Sequence, residues 1–465
     1  MAQAKELKEK LFNRFPNGYQ VMEDAALAAC NDYAKGYMAF LDKNRTEREC
    51  AVFAQKLLLE NGFQPVDEQR TAPYQAGDKI YKIQRNKAVI AAVIGKQPLS
   101  AGVKIAAAHI DSPRLDIKPN PLYESDEMAF FKTHYYGGIK KYQWTAIPLA
   151  LHGVICKADG ETVTVNIGDD PGDPQFVVTD LLPHLAQEQM KREARQIVKA
   201  EELNLLIGSV PFKDDAESEL VKLNILNLLF EKYGMTERDF LSAELCAIPA
   251  FAVREIGFDR SLIGGYGHDD KVCAYPALTA LLECGIPENT CISVLVDKEE
   301  IGSDGNTGMQ CDFLRYFIAD LARSAGLADR DVIRHSTCIS ADVNAGFDPT
   351  FPDVVDKHNC AFVNKGVCLT KYTGSGGKGG SNDASAEFIN YLRRIYDKEG
   401  VLWQIGELGK TDLGGGGTVA KYVAKLDIET VDLGVPVLSM HAPFEIIGKI
   451  DLYEAHRAFK EYFKA

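Results

Sequence analysis

The stretch Val294-Leu295-Val296-Asp297-Lys298-Glu299-Glu300-Ile301-Gly302-Ser303 decides how this chain arranges its chemistry. Its first three residues end an apolar, β-branched run, Ile292 to Val296, that predicts a buried strand. Two carboxylates follow, and turn-rich residues 302–308 end the strand. Open α/β sheets bind ligands at the C-terminal ends of their strands. Because neighbouring side chains point to opposite sides, Glu299 and Glu300 can serve a proton and a metal, although a solvated acidic loop gives the same pattern.

The composition is that of a globular protein with little affinity for polyanions. The 465 residues include 52 Lys plus Arg against 66 Asp plus Glu, a net charge of −14, which disfavours nucleic acid and anionic membranes as partners. No window approaches about 18 consecutive apolar residues and no signal-peptide core opens the chain, so we expect a cytoplasmic protein. The 11 cysteines form no C-x-x-C pair, which indicates reduced thiols.

The chain is predicted to have two parts. Strands alternate with helices before residue 113 and after residue 250, which predicts an α/β fold with three layers and a mostly parallel sheet. Residues 114–249 are instead rich in Tyr, Gly, Pro and alternating strand patterns. Two polar stretches near 186–205 and 217–234 indicate helices, and the first is highly charged, which is typical of a solvated helix. We therefore predict one discontinuous catalytic domain, residues 1–113 and 250–465, interrupted by a β-rich insertion, residues 114–249.

Metal-type side chains lie just past the predicted strand ends or open a predicted helix. They are His109, Asp111, Asp269, Glu299, Glu300, Asp342 and His441. Two imidazoles and several carboxylates suit Zn²⁺ or another borderline divalent ion. Each residue also has an ordinary explanation: a satisfied histidine, a turn cap at Asp342, or an N-cap pair at Asp269 and Asp270. A metal site explains them together, whereas the ordinary explanations must account for each strand end separately.

The motifs resemble those of the aspartyl aminopeptidase family of dinuclear metallo-aminopeptidases. The matching segments are Ala108-His109-Ile110-Asp111-Ser112-Pro113, Gly267-His268-Asp269-Asp270-Lys271, Asp297 to Ser303, Ser340-Ala341-Asp342-Val343-Asn344 and Ser439-Met440-His441. Their order and spacing match over nearly the whole chain. The resemblance implies an enzyme that hydrolyses the N-terminal residue from peptides. It also implies that the β-rich insertion is a dimerisation domain and that the chain assembles into a homo-oligomer, a dodecamer built from dimers.

The resemblance further implies two divalent metal ions per subunit, zinc in the first instance, with cobalt or manganese as alternatives. The implied ligands are His109, Asp269, Glu300, Asp342 and His441. Asp269 would bridge the two ions, and each histidine would bind one of them. This chain has His268 before the bridging position and Asp270 after it, and of the two carboxylates we favour Asp269 as the ligand.

Three further residues receive roles from the resemblance. Glu299 would be the general base, and Asp111 would orient the His109 ring through its second nitrogen. His184, in Leu182-Pro183-His184-Leu185, would contact substrate in the active site of a neighbouring subunit. A third histidine metal ligand and a capping histidine in a β-rich domain are the alternatives for His184.

Loops near the C-terminal half are expected to line the substrate cleft. The resemblance implies substrate contacts at Lys365, Lys371, Tyr372 and Gly416. Two glycine clusters, residues 374–381 and 412–418, correspond to cleft loops, and the first lacks the spacing of a phosphate-binding loop. A surface lysine is the ordinary explanation for Lys365.

Two other functions remain possible from the sequence. One is another dinuclear hydrolase on the same fold, a carboxypeptidase or an amide deacylase, although no arginine that could clamp a substrate carboxylate is evident near the motifs. The other is a non-catalytic assembly protein with a relic site. The complete set of ligand-type residues, together with Glu299, disfavours the relic.

Overall fold

A computed structural model describes residues 2–213, 218–374 and 376–465. The described α-helices are α1 (Ala2–Leu11), α2 (Gly18–Val21), α3 (Asp24–Lys43), α4 (Glu47–Glu60), α5 (Leu220–Tyr233), α6 (His268–Glu283), α7 (Phe313–Ser324), α8 (Asp329–Ile333), α9 (Ala386–Glu399), α10 (Ala420–Ala424) and α11 (Lys449–Lys464). Not one of these helices combines the length and the apolar character that crossing a membrane requires.

The described strands form three sheets. In chain order they are β1 (Gln64–Pro65), β2 (Lys79–Gln84), β3 (Ala88–Val93), β4 (Lys104–His109), β5 (Arg114–Ser125), β6 (Met128–Tyr136), β7 (Leu149–Cys156), β8 (Thr162–Ile167), β9 (Val177–Val178), β10 (Asn204–Gly208), β11 (Ala243–Pro249), β12 (Arg254–Ile256), β13 (Leu262–Gly265), β14 (Cys291–Val296), β15 (Thr337–Ser340), β16 (Asn344–Ala345), β17 (Val367–Thr370), β18 (Trp403–Ile405), β19 (Glu429–Gly434), β20 (Pro436–Leu438) and β21 (Glu445–Gly448).

The largest sheet has the order β1-β2-β3-β14-β4-β15-β19-β17-β18. Its centre, β14-β4-β15-β19, is parallel, and β3 and β17 pair with this centre in antiparallel fashion. Every residue of β4 and of β14 is buried, which explains why both appear in the sequence as apolar runs. The predicted mostly parallel sheet is confirmed.

Helices cover both faces of the central sheet. Helices α3, α4, α6, α9 and α11 enclose one apolar core, which contains Tyr37 and Phe459. Helices α7, α8 and α10 enclose a second core on the opposite face, which contains Phe317. Each fully buried side chain of this size contributes about 1.5–3 kcal/mol by leaving water. The predicted three-layer α/β fold is confirmed.

The strands between residues 114 and 249 form a separate antiparallel sheet, β8-β7-β11-β5-β6-β10-β9, over a core of its own around Trp144. The helix expected near 186–205 is absent from these described residues, which instead contain single 3₁₀ turns at Gln189–Lys191, Ala194–Gln196 and Ala200–Glu202. This stretch buries few side chains and so lacks the apolar stripe that stabilises a helix. The second expected helix is α5; residue 217, where it was expected to begin, lies outside the described residues.

The third sheet, β12-β13-β21-β20-β16, lies next to the carboxyl edge of the central sheet. The sequence predicted one strand over residues 435–440. The central-sheet strand is instead β19, and the short β20 belongs to the third sheet. Gly434 lies where the two strands meet, and a side chain there would collide with the carbonyl oxygen of Asp342. The missing side chain therefore lets the chain pass close to Asp342 before it changes sheet.

A buried ion network joins α4 to the second sheet. Glu49 in the first turn of α4 accepts hydrogen bonds from the backbone amides of Arg45 and Thr46 at 2.8 and 2.9 Å and from Nδ1 of His152 at 2.7 Å. Nε2 of His152 lies 3.2 Å from Asp169, which faces Arg45 at 3.4 Å. Burial opposes a charge on His152, but Asp169 and Glu49 outweigh burial and raise the pKa of His152 to about 9.

Candidate metal centre

Metal-type side chains meet where the central sheet adjoins the third sheet. In the parallel pair β14 and β4, Val296 lies opposite His109, so the two strands end together. Strand β15 is followed by Asp342, while β13 and β20 of the third sheet precede Asp269 and His441. The side chains brought together are His109, Asp269, Asp270, Glu299, Glu300, Asp342 and His441.

Asp269 lies between the two histidines. Its Oδ1 is 3.2 Å from Nε2 of His109, and its Oδ2 is 3.1 Å from Nε2 of His441. Burial opposes ionisation, yet the two imidazoles hold the pKa of Asp269 well below its ordinary value. One carboxylate thus presents an oxygen to each histidine, which is the geometry that a ligand shared by two ions requires.

The potential ligand atoms form two groups. His109, Asp270 and Asp342 make up the first group, and Asp269, Glu300 and His441 make up the second. Within each group, one ligand atom from every side chain lies within 4.8 Å of the others. The sequence favoured Asp269 over Asp270 as the ligand, and the structure brings both carboxylates within reach of a cation.

The donor set fits a divalent cation. Oδ1 of Asp270 and Oε1 of Glu300 are buried and have no hydrogen-bond partner among the residues that the structure describes. Burial, reinforced by neighbouring carboxylates, raises the pKa of Asp270, Glu300 and Asp342 well above the ordinary values. Imidazole and carboxylate are the ligands that zinc uses in catalytic sites, and a bound cation would offset the crowding of like charges.

Both histidines are oriented through their second ring nitrogen. Nδ1 of His109 lies 3.2 Å from the backbone carbonyl oxygen of Asp111 and 3.3 Å from its carboxylate. Nδ1 of His441 donates to the carbonyl oxygen of Gly138, in the loop after β6, at 2.7 Å. Nε2 of each ring is therefore directed into the centre, as ligation requires.

Glu445 is a residue of the site that sequence reasoning missed. This buried carboxylate in β21 accepts hydrogen bonds from the backbone amides of His441 at 2.7 Å and of Asp269 at 3.1 Å. It thus fixes the two segments that carry these side chains. The only sequence signal was a lone acid in the apolar run Phe444–Ile447.

Glu299 lies beside the two ligand groups rather than within them. Its Oε2 is 3.9 Å from Nε2 of His109, and its side chain is 17% exposed, against 3% for Glu300. Burial raises the pKa of Glu299 to about 7. A carboxyl group that lies beside the ligand groups and retains access to solvent is suited to accept and return a proton.

Of two other residues expected to contact substrate, His184 is exposed and Lys365 is half-buried. His184 lies in an exposed turn between β9 and β10, with exposed Leu182 and Leu185 on either side. The ammonium group of Lys365 lies 4.3 Å from the ring centroid of Phe362. The structure does not bring His184 into its own chain's ligand groups among the described residues.

The other residues expected in the cleft lie on loops that hydrogen-bond to neighbouring loops. Lys371 donates to Asp383 at 2.8 Å, and the hydroxyl of Tyr372 donates to Glu407 at 2.8 Å. The backbone amide of Gly374 donates to the carbonyl oxygen of Gly416 at 2.8 Å, which ties the two glycine clusters together. Within the first cluster, residue 375 lies outside the described residues.

A cavity of about 750 Å³ opens beside the second ligand group. Its walls include His441 and Gly138 together with the apolar side chains of Tyr142, Phe351 and Met440. It therefore joins the ligand side chains to a space large enough for amino-acid side chains.

Comparison with known proteins identifies the family. Residues 40–463 match the family model described as "Aminopeptidase I zinc metalloprotease (M18)". A Clostridium acetobutylicum protein described as "Probable M18 family aminopeptidase 1" is 46% identical over 458 residues, which are 97% of this chain and 98% of that protein.

Solved structures give the same answer. The crystal structure of an M18 aminopeptidase from Thermotoga maritima has a TM-score of 0.92 at 42% identity and covers 97% of this chain and 100% of its own. Aminopeptidase I from Clostridium acetobutylicum has a TM-score of 0.92 at 45% identity, with 98% and 100% covered. The S. cerevisiae mApe1 dodecamer, at 21% identity and a TM-score of 0.75, shares the fold and covers 93% of this chain and 96% of its own. The family predicted from the motifs is confirmed: the chain belongs to the M18 family of zinc metallopeptidases and is a metal-dependent aminopeptidase.

Proposed function

We propose that this aminopeptidase works through two divalent ions, of which zinc is the first choice and cobalt or manganese the alternatives. The carboxylate of Asp269, with one oxygen toward each histidine, is the observation that carries the proposal. His109 and Asp342 would hold one ion, and His441 and Glu300 the other. Asp270, hydrogen-bonded at 3.4 Å to the backbone amide of His109, would support the first of these sites.

Glu299 is proposed as the general base. The bound ions would polarise the scissile carbonyl group and make a water molecule more acidic. Glu299 would accept a proton from the attacking water and deliver it to the leaving amine nitrogen. Its position beside the ligands, with Oε2 3.9 Å from Nε2 of His109 and with access to solvent, supports both transfers. Asp111 would keep the His109 ring in the orientation that ligation needs.

We propose that the free N-terminus of a peptide enters through the loops that carry Lys365, Lys371, Tyr372 and Gly416. Lys371 and Tyr372 line a cavity of about 200 Å³, and Tyr372 also lines a second cavity of about 300 Å³ next to the glycine loops. A cleft of this kind would leave room for one residue before the scissile bond and for the rest of the peptide beyond it.

We propose that residues 114–249 form a dimerisation insertion and that the chain assembles into a cytoplasmic homo-oligomer, a dodecamer built from dimers; the structure of S. cerevisiae mApe1 is that of a dodecamer. Exposed apolar side chains support a buried interface in this region; they include Leu181, Leu182, Leu185, Met190, Val210, Leu228 and Phe230. Three of these flank His184 in the sequence, so a neighbouring subunit that covers them would also contact this imidazole, and we propose that the contact is at that subunit's active site.

The experiment that tests this function compares aminoacyl anilides with their N-acetylated forms. We expect hydrolysis of the free amines only, loss of activity with a chelator, and recovery with zinc. A deacylase would cleave the acetylated forms, a carboxypeptidase would require a free C-terminus, and a relic site would cleave none of them. Activity that survives complete removal of metal would refute the proposal.

A further inference from the structure

The carboxylate of Asp111 holds several parts of the site at once. Its Oδ1 accepts from the backbone amide of Glu299 at 3.1 Å and lies 3.3 Å from Nδ1 of His109. Its Oδ2 accepts from the backbone amide of Glu300 at 3.2 Å. The orientation of this one fully buried carboxylate therefore sets the positions of a histidine, the proposed base and a carboxylate.

A hydroxyl from the second sheet completes the shell of Asp111. Tyr136, the last residue of β6, donates from its phenol oxygen to Oδ2 of Asp111 at 2.7 Å. The guanidinium of Arg114 lies 4.1 Å from the ring centroid of Tyr136 and is itself held by Glu47 at 2.8 Å. The phenol therefore approaches Asp111 from a fixed direction.

The next two residues of the same segment reach the other half of the site. The carbonyl oxygen of Gly138 accepts from Nδ1 of His441 at 2.7 Å. Gly137 has a φ of +77°, and a Cβ at this position would lie 3.1 Å from Oε2 of Glu300. This segment outside the α/β fold thus contacts Asp111, which orients His109, and supplies the carbonyl oxygen that orients His441.

We propose that Tyr136 is a positioning residue of the peptidase reaction, acting through Asp111 to align His109 and Glu299, so that the end of β6 couples the second sheet to catalysis. The inference rests on the dinuclear site proposed above. Without the hydroxyl, Oδ2 of Asp111 keeps only one amide donor and the carboxylate can rotate. Partners of this kind typically change metal affinity or activity by about 10–100-fold when they are removed.

The test is Tyr136→Phe, which removes one oxygen and keeps the ring against Arg114. We expect zinc affinity, measured by competition with a chromogenic chelator, or kcat on an aminoacyl anilide to fall about 10–100-fold, with KM changed little because the hydroxyl does not reach the substrate. Thermal unfolding of the chelated variants checks that the fold is kept.

Two tyrosines of the same chain supply matched controls. Tyr135→Phe removes a hydroxyl from the adjacent, exposed position of β6. Tyr462→Phe removes a buried hydroxyl that lies 2.6 Å from Thr337, at the opposite end of β15 from Asp342. Both controls should retain wild-type zinc affinity and kcat. If Tyr136→Phe does the same, the proposal is overturned.

A double-mutant cycle separates action through Asp111 from a general effect on folding. In an Asp111→Asn background, Tyr136→Phe should add little, since its partner is already altered. An equal loss in both backgrounds overturns the proposal, because Tyr136 would then act independently of Asp111. Zinc binding by the wild type tests the proposed function separately. A wild type that binds no zinc would refute the dinuclear site itself and, with it, the role of Tyr136.

Discussion

The buried His152 makes stability depend on pH in a window that the structure defines. Asp169 and Glu49 raise the pKa of His152 from 6.5 to about 9 against the effect of burial. At about 1.4 kcal/mol per pH unit, this corresponds to about 3 kcal/mol of folding free energy. Because the pKa is higher in the folded state, the contribution is fully present below about pH 6.5 and is lost as pH rises through about 9.

The perturbation is His152→Gln, which replaces the imidazole N–H donor by an amide N–H donor and removes the charge. We expect the free energy of unfolding of the wild type to exceed that of the variant by about 3 kcal/mol more at pH 6 than at pH 10. Urea unfolding, followed by the fluorescence of buried Trp144 and by circular dichroism, measures this difference. A difference that stays constant over this range would refute the reasoning.

His456 provides a control of opposite sign. Burial lowers its pKa to about 4, so its folded form is neutral near pH 7. For His456→Gln, the difference from the wild type should be flat from about pH 7 to 10. The wild type should lose stability relative to the variant only as pH falls from about 6.5 toward 4. The unfolded histidine then takes up a proton that the buried, folded histidine does not.

The remaining predictions concern the site. Glu299→Gln should keep its metal by elemental analysis and lose about 10²–10⁴-fold in kcat; loss of all metal would make Glu299 a ligand. Asp269→Asn should lower the zinc content more than Asp270→Asn, and the reverse order would assign the shared position to Asp270. Mixed subunits carrying His184→Ala or Glu299→Gln should regain activity on exchange, provided His184→Ala alone is impaired; no recovery would place His184 in its own subunit's site. Light scattering should give a mass well above that of one chain, and a stable, active monomer would contradict the proposed assembly.

The ligand-type residues could be predicted because their signals are local. His109 and Glu299 follow runs that are buried throughout, and a buried strand in a sequence is visible as a block of apolar residues. Parallel strands then bring their carboxyl ends to one edge, so residue type and strand end suffice to place these side chains together. His441 had the same type of signal, although its strand belongs to the third sheet.

The supporting contacts could not be predicted because each joins segments without a common pattern. Gly138 meets His441 across 303 positions, and Glu445 meets Asp269 across 176. A backbone carbonyl carries no residue signature at all, and a glutamate in a strand is ordinarily assigned to the solvent face. The helix predicted near 186–205 was wrong for a related reason. Its charge suggested a solvated helix, but the stretch has no apolar stripe that would hold a helix against the sheet.

These contacts change how the second sheet should be understood. From the sequence, the segment that interrupts the α/β fold is expected to serve assembly and to carry His184 to a neighbouring subunit's site. In the structure, Tyr136 and Gly138 come from that segment and contact Asp111 and His441 directly. Without this segment the ligand-type side chains and Asp111 would remain, but the carbonyl oxygen that orients His441 and the hydroxyl that holds Asp111 would be missing. Since losing such partners typically costs about 10–100-fold in metal affinity or activity, the α/β portion alone should bind zinc more weakly than the whole chain does.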